Sequence, residues 1–333
     1  MPFCSAIENN LFVNLQGSRK LCCRTHKDMF EADKVRKIMN GGKKFEWSNQ
    51  CSRCMKEEQA GFESLRQRYN QTLSGTPGRV EALEYIMSNE CNLACRMCST
   101  PYSTGIQKLF KDHDMKNVPE AFVSNWSQVG QLTIDIEEFG DLSNLRQIKA
   151  SGGEPLMSKM FYKLTDHLEK IGVLENVLFE MVTNGTVYSE KVIKELKKYK
   201  TVRLSVSIDG IGPLNDYIRF GSKFETVEKN IEKYIDHGFE VNIKHLQQAY
   251  NLHQKQEVID WCDDRGYNLH YGEIEWPYYL GYKALPPAYA QKYGYTGDYN
   301  PQLNAMFVQY TKIYDKKTNM DIKNYLPELA SMI

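Results

Sequence analysis

Apolar and polar residues follow two different periods along this chain, and the two alternate. From residue 81 onward, short runs with strand character cover 81–88, 146–153, 177–185, 202–210, 240–248 and 268–275. Between them, apolar residues recur every three or four positions over 103–112, 119–130, 158–171, 189–199, 223–237 and 254–265, which predicts helices. In SEKVIKELKKYK, for example, Val192, Ile193 and Leu196 share one face while the lysines point elsewhere. Six β–α repeats predict an α/β fold built on a parallel sheet with right-handed crossovers. A doubly wound sheet and an incomplete barrel both satisfy this pattern, since six units fall short of the eight of a full barrel. Either architecture puts function at the C-terminal ends of the strands.

The first 80 residues are less regular. LFVNLQGSRKLCC predicts a hairpin turning at Gly17 and Ser18, KDMFEADKVRKIMNGG a short helix stopped by Gly41, and FESLRQRYNQ a further helix. TLSGTPGR, residues 72–79, has the composition of a linker. At the other end, EWPYYLGYKALPPAYAQKYGYTGDY is rich in Tyr and Pro and is expected to cover the mouth of the strand-end rim. The expected organisation is therefore 1–80, 81–280 and 281–333.

Composition narrows the function classes. Among 333 residues, 42 basic and 42 acidic side chains cancel, which argues against a nucleic-acid coat or a polybasic membrane binder. The start MPFCSAIENN has no basic stretch followed by an apolar one, and no apolar run reaches the length of a membrane span. A cytoplasmic protein with reduced thiols is the expectation, with no membrane and no clear nucleic-acid partner. Nine cysteines in that setting point to metal binding or catalysis rather than disulfides, and eight of them precede residue 99. The ninth, Cys262, lies in a predicted helix and reads as a buried structural thiol. His245 and His270 read as packed strand residues.

Chemistry-bearing residues gather at successive strand ends. The first strand is followed by NECNLACRMC, the second ends in SGGEP, the third in TNG, and the fourth in SIDG with Asn215 and Arg219 beyond it. One at a time these are ordinary turn sequences, but four in a row on one rim are not. Gly152 and Gly153 would let backbone approach a ligand closely, and Glu154, Asp209 and Arg219 could hold polar groups. Cys91, Cys95 and Cys98 form one compact CxxxCxxC loop without the second knuckle of a zinc site. A four-iron cluster normally takes four thiolates, so three leave one iron open to a non-protein ligand.

With these motifs in this order, residues 81–280 resemble the radical S-adenosylmethionine (radical SAM) superfamily. The resemblance implies an α/β fold, an incomplete (βα)6 TIM-like barrel, with a small N-terminal cysteine-rich metal-binding domain. It implies that Cys91, Cys95 and Cys98 hold three irons of a [4Fe–4S] cluster, the fourth taking the amino and carboxylate groups of S-adenosylmethionine. Gly152, Gly153 and Glu154 would meet the methionyl amino end. Ser207, Asp209 and Arg219 would contact the ribose or the carboxylate, with Asn184 nearby. An electron donor such as flavodoxin or ferredoxin would drive cleavage to methionine and a 5′-deoxyadenosyl radical, which takes hydrogen from the substrate. Met97 stands where the family often has an aromatic residue, and VNIKHLQQ gives no clean match to the family's adenine motif.

Cys4, Cys22, Cys23, Cys51 and Cys54 form a second set. As a CC…CxxC pattern with an upstream cysteine, it fits either a structural zinc ribbon or a second [4Fe–4S] cluster. It resembles the Twitch and SPASM-type auxiliary cluster modules, although those usually follow the barrel. Five cysteines for four positions leave one spare, and the expected set is Cys4, Cys51, Cys54 and one of the adjacent pair, Cys22 preferred. The resemblance leans toward a peptide or protein side chain as substrate. A sugar or nucleoside is the alternative within the class, and a non-catalytic zinc or iron–sulfur protein is the alternative outside it.

Overall fold

The computed structural model of the chain describes residues 3–25, 32–41, 46–111 and 135–333. All six expected strands are present, as Ala82–Ile86, Gln147–Ser151, Leu178–Thr183, Thr201–Ser207, Glu240–Gln247 and Asn268–Glu273. The helices Thr104–Phe110, Lys159–Lys170, Glu190–Leu196, Phe224–Asp236 and Lys255–Arg265 alternate with them. The helix expected over 119–130 lies outside the described residues. The fold is thus the expected α/β one, a (βα)6 series of partial, TIM-like type. By contacts the chain divides into two compact units. One comprises Met1–Ser88, Gln131–Met181 and Glu190–Val202; the other comprises Asn89–Gly130, Val182–Ser189 and Arg203–Ile333.

In the first unit, the first strand pairs in parallel with the second, and the second with the third. Residues such as Ile148 and Ala150 are buried at every second position, as the strand period requires. The crossover helix Lys159–Lys170 buries Met160, Phe161, Leu164 and Leu168 on one face. The expected N-terminal hairpin forms, with Asn10–Val13 antiparallel to Arg19–Lys20. It also does something the pattern does not announce: Asn10–Val13 runs parallel beside the first barrel strand, in register from Ala82 to Tyr85. Buried Glu84 explains the attachment. Its Oε1 accepts from Asn10 Nδ2 and from the Tyr69 hydroxyl, each at 2.9 Å. A small core of Ile7, Leu21, Val35, Met39, Tyr69 and Leu73 packs among the short helices around it.

In the second unit, the fourth, fifth and sixth strands pair in parallel. Here the C-terminal extension supplies an 18-residue helix, Pro301–Thr318, beyond the elements that the sequence pattern predicts. Its signals are conventional in hindsight. Asn300 caps it by accepting from Gln302 N and Leu303 N, Pro301 opens it, and Asn319 ends it in the left-handed region at φ 54°. Phe307, Tyr310 and Tyr314 recur at helical spacing and are fully buried. They were obscured by the surrounding Tyr-rich composition.

This helix grips the cysteine loop through Arg96, whose side chain is wholly buried. The Arg96 guanidinium donates to Asp315 Oδ1 at 2.6 Å and to Tyr217 O at 2.8 Å. It lies 3.6 Å from the Tyr217 ring centroid and 4.4 Å from that of Tyr314. Asp315 also receives Tyr217 Oη and Ile322 N, so both carboxylate oxygens are used. Removing one member of a buried, hydrogen-bonded ion pair leaves the other uncompensated. Arg96→Ala should therefore destabilise the iron-free protein by about 3–5 kcal/mol, read as a lowered urea midpoint. An unchanged midpoint would show that the pair is dispensable.

Candidate functional site

The loop after the first strand is shaped by bonds to its own neighbours. Thr104 Oγ1 accepts from Cys91 N at 3.0 Å and donates to Cys91 O at 3.2 Å. Ser103 Oγ donates to Leu93 O at 2.9 Å and caps the following helix at Ile106 N. Cys98 N closes a tight turn on Cys95 O at 3.0 Å. Ala94–Cys95 then forms a two-residue antiparallel bridge with Arg219–Phe220, placing Cys95 directly opposite Arg219. None of the nine cysteines is in a disulfide.

Polar groups converge on the sulfurs. Arg219 Nη1 stands 3.9 Å from Cys95 Sγ, and Asn184 Nδ2 3.9 Å from Cys91 Sγ. Asn184 also donates to Asn92 Oδ1 at 2.9 Å, so the TNG turn is fastened to the cysteine loop. Gly185 in that turn has φ 73°, and a Cβ there would fall 2.8 Å from methyls of Val206 and Val227, so only glycine fits. Burial pushes the Cys98 thiol up to about 12, and pushes Cys95 further up against the opposing effect of Arg219. These thiols ionise only with a cationic partner at hand, which is what iron supplies.

Asp209 and Arg219 form a buried ion pair at 2.7 Å. Burial works against the charge of Arg219, but Asp209 and the thiols more than offset it and hold its pKa above the usual value. Asp209 Oδ1 accepts from Leu246 N at 2.9 Å, and its own backbone is tied by Asn215 and Asn251. Ser207 ends the fourth strand, half-buried. His245, buried, donates Nδ1–H to Ile208 O at 3.0 Å and leaves Nε2 without a protein partner; burial holds its pKa below the usual value. Nothing in the sequence pattern marks Asn251 or Arg96 as part of this framework. Both act through bonds to residues distant in the chain.

The SGGEP turn lies in the first unit. Gly153 N donates to Ser88 O at 2.7 Å. A Cβ on Gly152, at φ 132°, would sit 2.4 Å from the same oxygen, so the turn can press on the strand end only as glycine. Glu154 is fully buried and caps the next turn by accepting from Leu156 N at 3.2 Å.

Also in the first unit, Cys4, Cys22, Cys51 and Cys54 line one pocket, while Cys23 is exposed outside it. Arg24 enters the same pocket, with Nη1 3.7 Å from Cys54 Sγ and an ion pair to Glu57. Among the described residues, no three His, Cys, Asp or Glu side chains converge tightly enough to grip a single ion. A four-iron cluster asks for a wider set, because each thiolate meets a different iron. Four buried or half-buried thiols thus share one pocket with an arginine.

The sequence profile described as the radical SAM superfamily matches residues 85–261, more than half of the chain. The chain therefore belongs to the radical SAM superfamily, and membership implies an enzyme with a [4Fe–4S] cluster and S-adenosylmethionine as cofactors. Among curated relatives, the probable GTP 3′,8-cyclase of Methanococcus vannielii is 27% identical over 188 residues, covering 56% of this chain and 56% of that protein. The radical SAM cyclopropyl synthase TigE of Paramaledivibacter caminithermalis is 28% identical over 166 residues, covering 48% of this chain and 33% of that protein. The chain thus spans about half the length, or less, of these relatives. A solved structure of anSMEcpe with bound AdoMet overlaps 71% of this chain and 57% of its own at 18% identity and a TM-score of 0.45. No helix among the described residues is long and apolar enough to cross a membrane.

Raised thiol pKa values give a signed prediction for the iron-free protein. Burial lifts Cys4 to about 12 and Cys51 to about 11, against roughly 8.5 for a thiol in an unfolded chain. Below about pH 8.5 both states keep their protons and the contribution is intact. Above it the unfolded chain ionises first, so stability is lost as pH rises. The urea midpoint of iron-free protein should fall between pH 8 and pH 10.5; a rise would contradict the burial of these thiols.

Proposed function

We propose that this chain reductively cleaves S-adenosylmethionine and uses the radical to take a hydrogen atom from a peptide or protein side chain, aided by a second [4Fe–4S] cluster. The observation that carries the reading is the CxxxCxxC loop itself. Its three cysteines stand in one rigid loop, with Arg219 and Asn184 aimed at two of the sulfurs.

Cys91, Cys95 and Cys98 would hold the catalytic cluster, leaving one iron for the amino and carboxylate groups of S-adenosylmethionine. When bound, these groups supply the electron and the carbon-centred radical that does the hydrogen abstraction. The chain's own part is positioning. Arg219, fixed by Asp209, sets a permanent positive charge beside Cys95 and suits an anionic cluster or a carboxylate. Asn184 orients Cys91 from the third strand end. Ser207 and Asp209 are assigned to the ribose side, and Gly152, Gly153 and Glu154 to the methionyl amino group, on their motifs.

The second cluster is assigned to Cys4, Cys22, Cys51 and Cys54. Their shared pocket supports Cys22 over Cys23, and Arg24 offsets the added negative charge. Zinc in the same pocket is the competing occupant. A nucleoside or other small molecule is the second substrate reading, supported by the GTP 3′,8-cyclase relatives. Flavodoxin or ferredoxin is the class of electron donor such a cluster needs.

The test is direct. Anaerobically reconstituted protein, reduced with dithionite and given S-adenosylmethionine, should release 5′-deoxyadenosine and methionine. Cys95→Ala should abolish that release yet keep the iron of the N-terminal pocket. If Cys95→Ala loses all iron, two independent sites are the wrong picture. If wild type releases no 5′-deoxyadenosine, the catalytic reading fails.

A further inference from the structure

The second unit contains a cavity of about 230 Å³ between the ends of the fifth and sixth strands and the Tyr-rich extension. Gln247, Gln248 and Glu273 line it from the strand side, and Tyr278, Tyr282 and Tyr295 from the extension. It is too small for a whole drug-sized ligand, but it could take one amino-acid residue or one base. Its walls are unequal in one respect. Gln247 spends its side chain inside the protein: Nε2 donates to Asn251 Oδ1 at 2.9 Å, and Oε1 accepts from the Tyr271 hydroxyl.

Gln248 does not. The residue is 1% exposed, and neither its amide nitrogen nor its amide oxygen has a partner in the protein. Only its backbone is committed, with the N–H donated to Asn251 Oδ1 at 2.7 Å. A carboxamide offers two donors and one two-lone-pair acceptor, and leaving all of them unmet in a buried place is costly. Both amide atoms are closed off as the side chain stands, so a complement in the cavity is met by the side chain turning toward it. The complement of a carboxamide is a planar amide edge, one N–H beside one C=O, which pairs with both of its atoms at once.

We infer that this cavity is a substrate subsite in which Gln248 reads an amide edge of the substrate by a paired donor–acceptor contact. The inference rests on the radical enzyme reading above, because it supplies the substrate to that site. Two sources carry this edge: the peptide unit or side-chain amide of a peptide, and the lactam edge of guanine. The sixth strand favours the peptide. It pairs with the fifth on one side and, among the described residues, with no strand on the other. Its last residue, Glu273, lines the cavity. An extended peptide laid along that free edge would reach the cavity at Glu273. The rings of Tyr282 and Tyr295, 5.0 Å apart, offer an apolar wall to either source.

Position separates this subsite from the cofactor groups and yet links the two. Asn251 donates to Asp209 O and to Leu246 O while its oxygen receives Gln248 N. One side chain therefore sets both the buried Asp209 and the start of the cavity wall.

The experiment measures direct binding by calorimetry to the full reconstituted chain, with no turnover required. The probes are an N-acetylated dipeptide amide and guanosine, each titrated into wild type, Gln248→Leu and Gln248→Glu. Gln248→Leu removes both polar atoms; Gln248→Glu keeps the shape and the acceptor but loses the donors. One probe should bind wild type and lose about tenfold in affinity in both variants, and which probe does so identifies the source. Unchanged affinity for both probes would leave the amide satisfied by water alone and overturn the inference. A variant that instead loses affinity for S-adenosylmethionine would assign the cavity to the cofactor and overturn it equally. Absence of 5′-deoxyadenosine release from wild type would sink the radical reading but not this binding result, so the two failures are distinguishable.

Discussion

The buried guanidinium of Arg96 is the contact on which the rest of the catalytic unit depends. It sits inside the cysteine loop, one residue after Cys95, and its Nε and Nη2 are held by groups far away in sequence, the Tyr217 carbonyl and Asp315, with the rings of Tyr217 and Tyr314 against it. Its backbone adds two more ties, with the N–H donated to Ile218 O and the carbonyl receiving the Tyr310 hydroxyl. A charge with no exposed surface is tolerable only when its partners are fixed, so Arg96 fixes them. The consequence is a loop whose backbone is tied at Cys95 and Arg96 to distant parts of the chain. The buried thiols of Cys95 and Cys98, both with raised pKa values, would otherwise have little reason to stay together.

From that anchor the framework spreads by hydrogen bonds beside an apolar core that includes Ala94, Tyr217 and Tyr314. Cys95 faces Arg219 across a two-residue bridge, Arg219 pairs with Asp209, and Asp209 takes Leu246 N. Asn251 continues the chain of contacts from Asp209 to Gln248. In the first unit the same logic is repeated around Glu84, a buried carboxylate that receives Asn10 and Tyr69 and thereby docks the N-terminal hairpin on the first barrel strand. Buried polar groups of this kind specify one arrangement, because every alternative leaves a charge or an amide unmet.

The strand and helix series was legible in the sequence because its periods are local. Val192, Ile193 and Leu196 announce a helix face without reference to anything else, and the residues at four successive strand ends follow from the series. Local reading also separates Cys91, Cys95 and Cys98 from the other cysteines. It does not reach features set by distant partners. The parallel pairing of Asn10–Val13 with Ala82–Tyr85 depends on Glu84, which looks like any charged residue in a strand. Arg96 looks like a surface arginine, Asn251 like a loop residue, and Gln248 like the last residue of a strand. The choice between Cys22 and Cys23 is likewise invisible in a CC pair, since adjacent residues differ only in which way each thiol turns.

The most direct measurement is the content of iron, acid-labile sulfide and zinc per chain after anaerobic purification and reconstitution. Two four-iron clusters, one in the CxxxCxxC loop and one in the N-terminal pocket, predict about eight irons with matching sulfide and no zinc. Four irons with one zinc would keep the catalytic loop but contradict the second cluster. Zinc alone, without sulfide, would contradict the central claim that this chain is built around iron–sulfur radical chemistry.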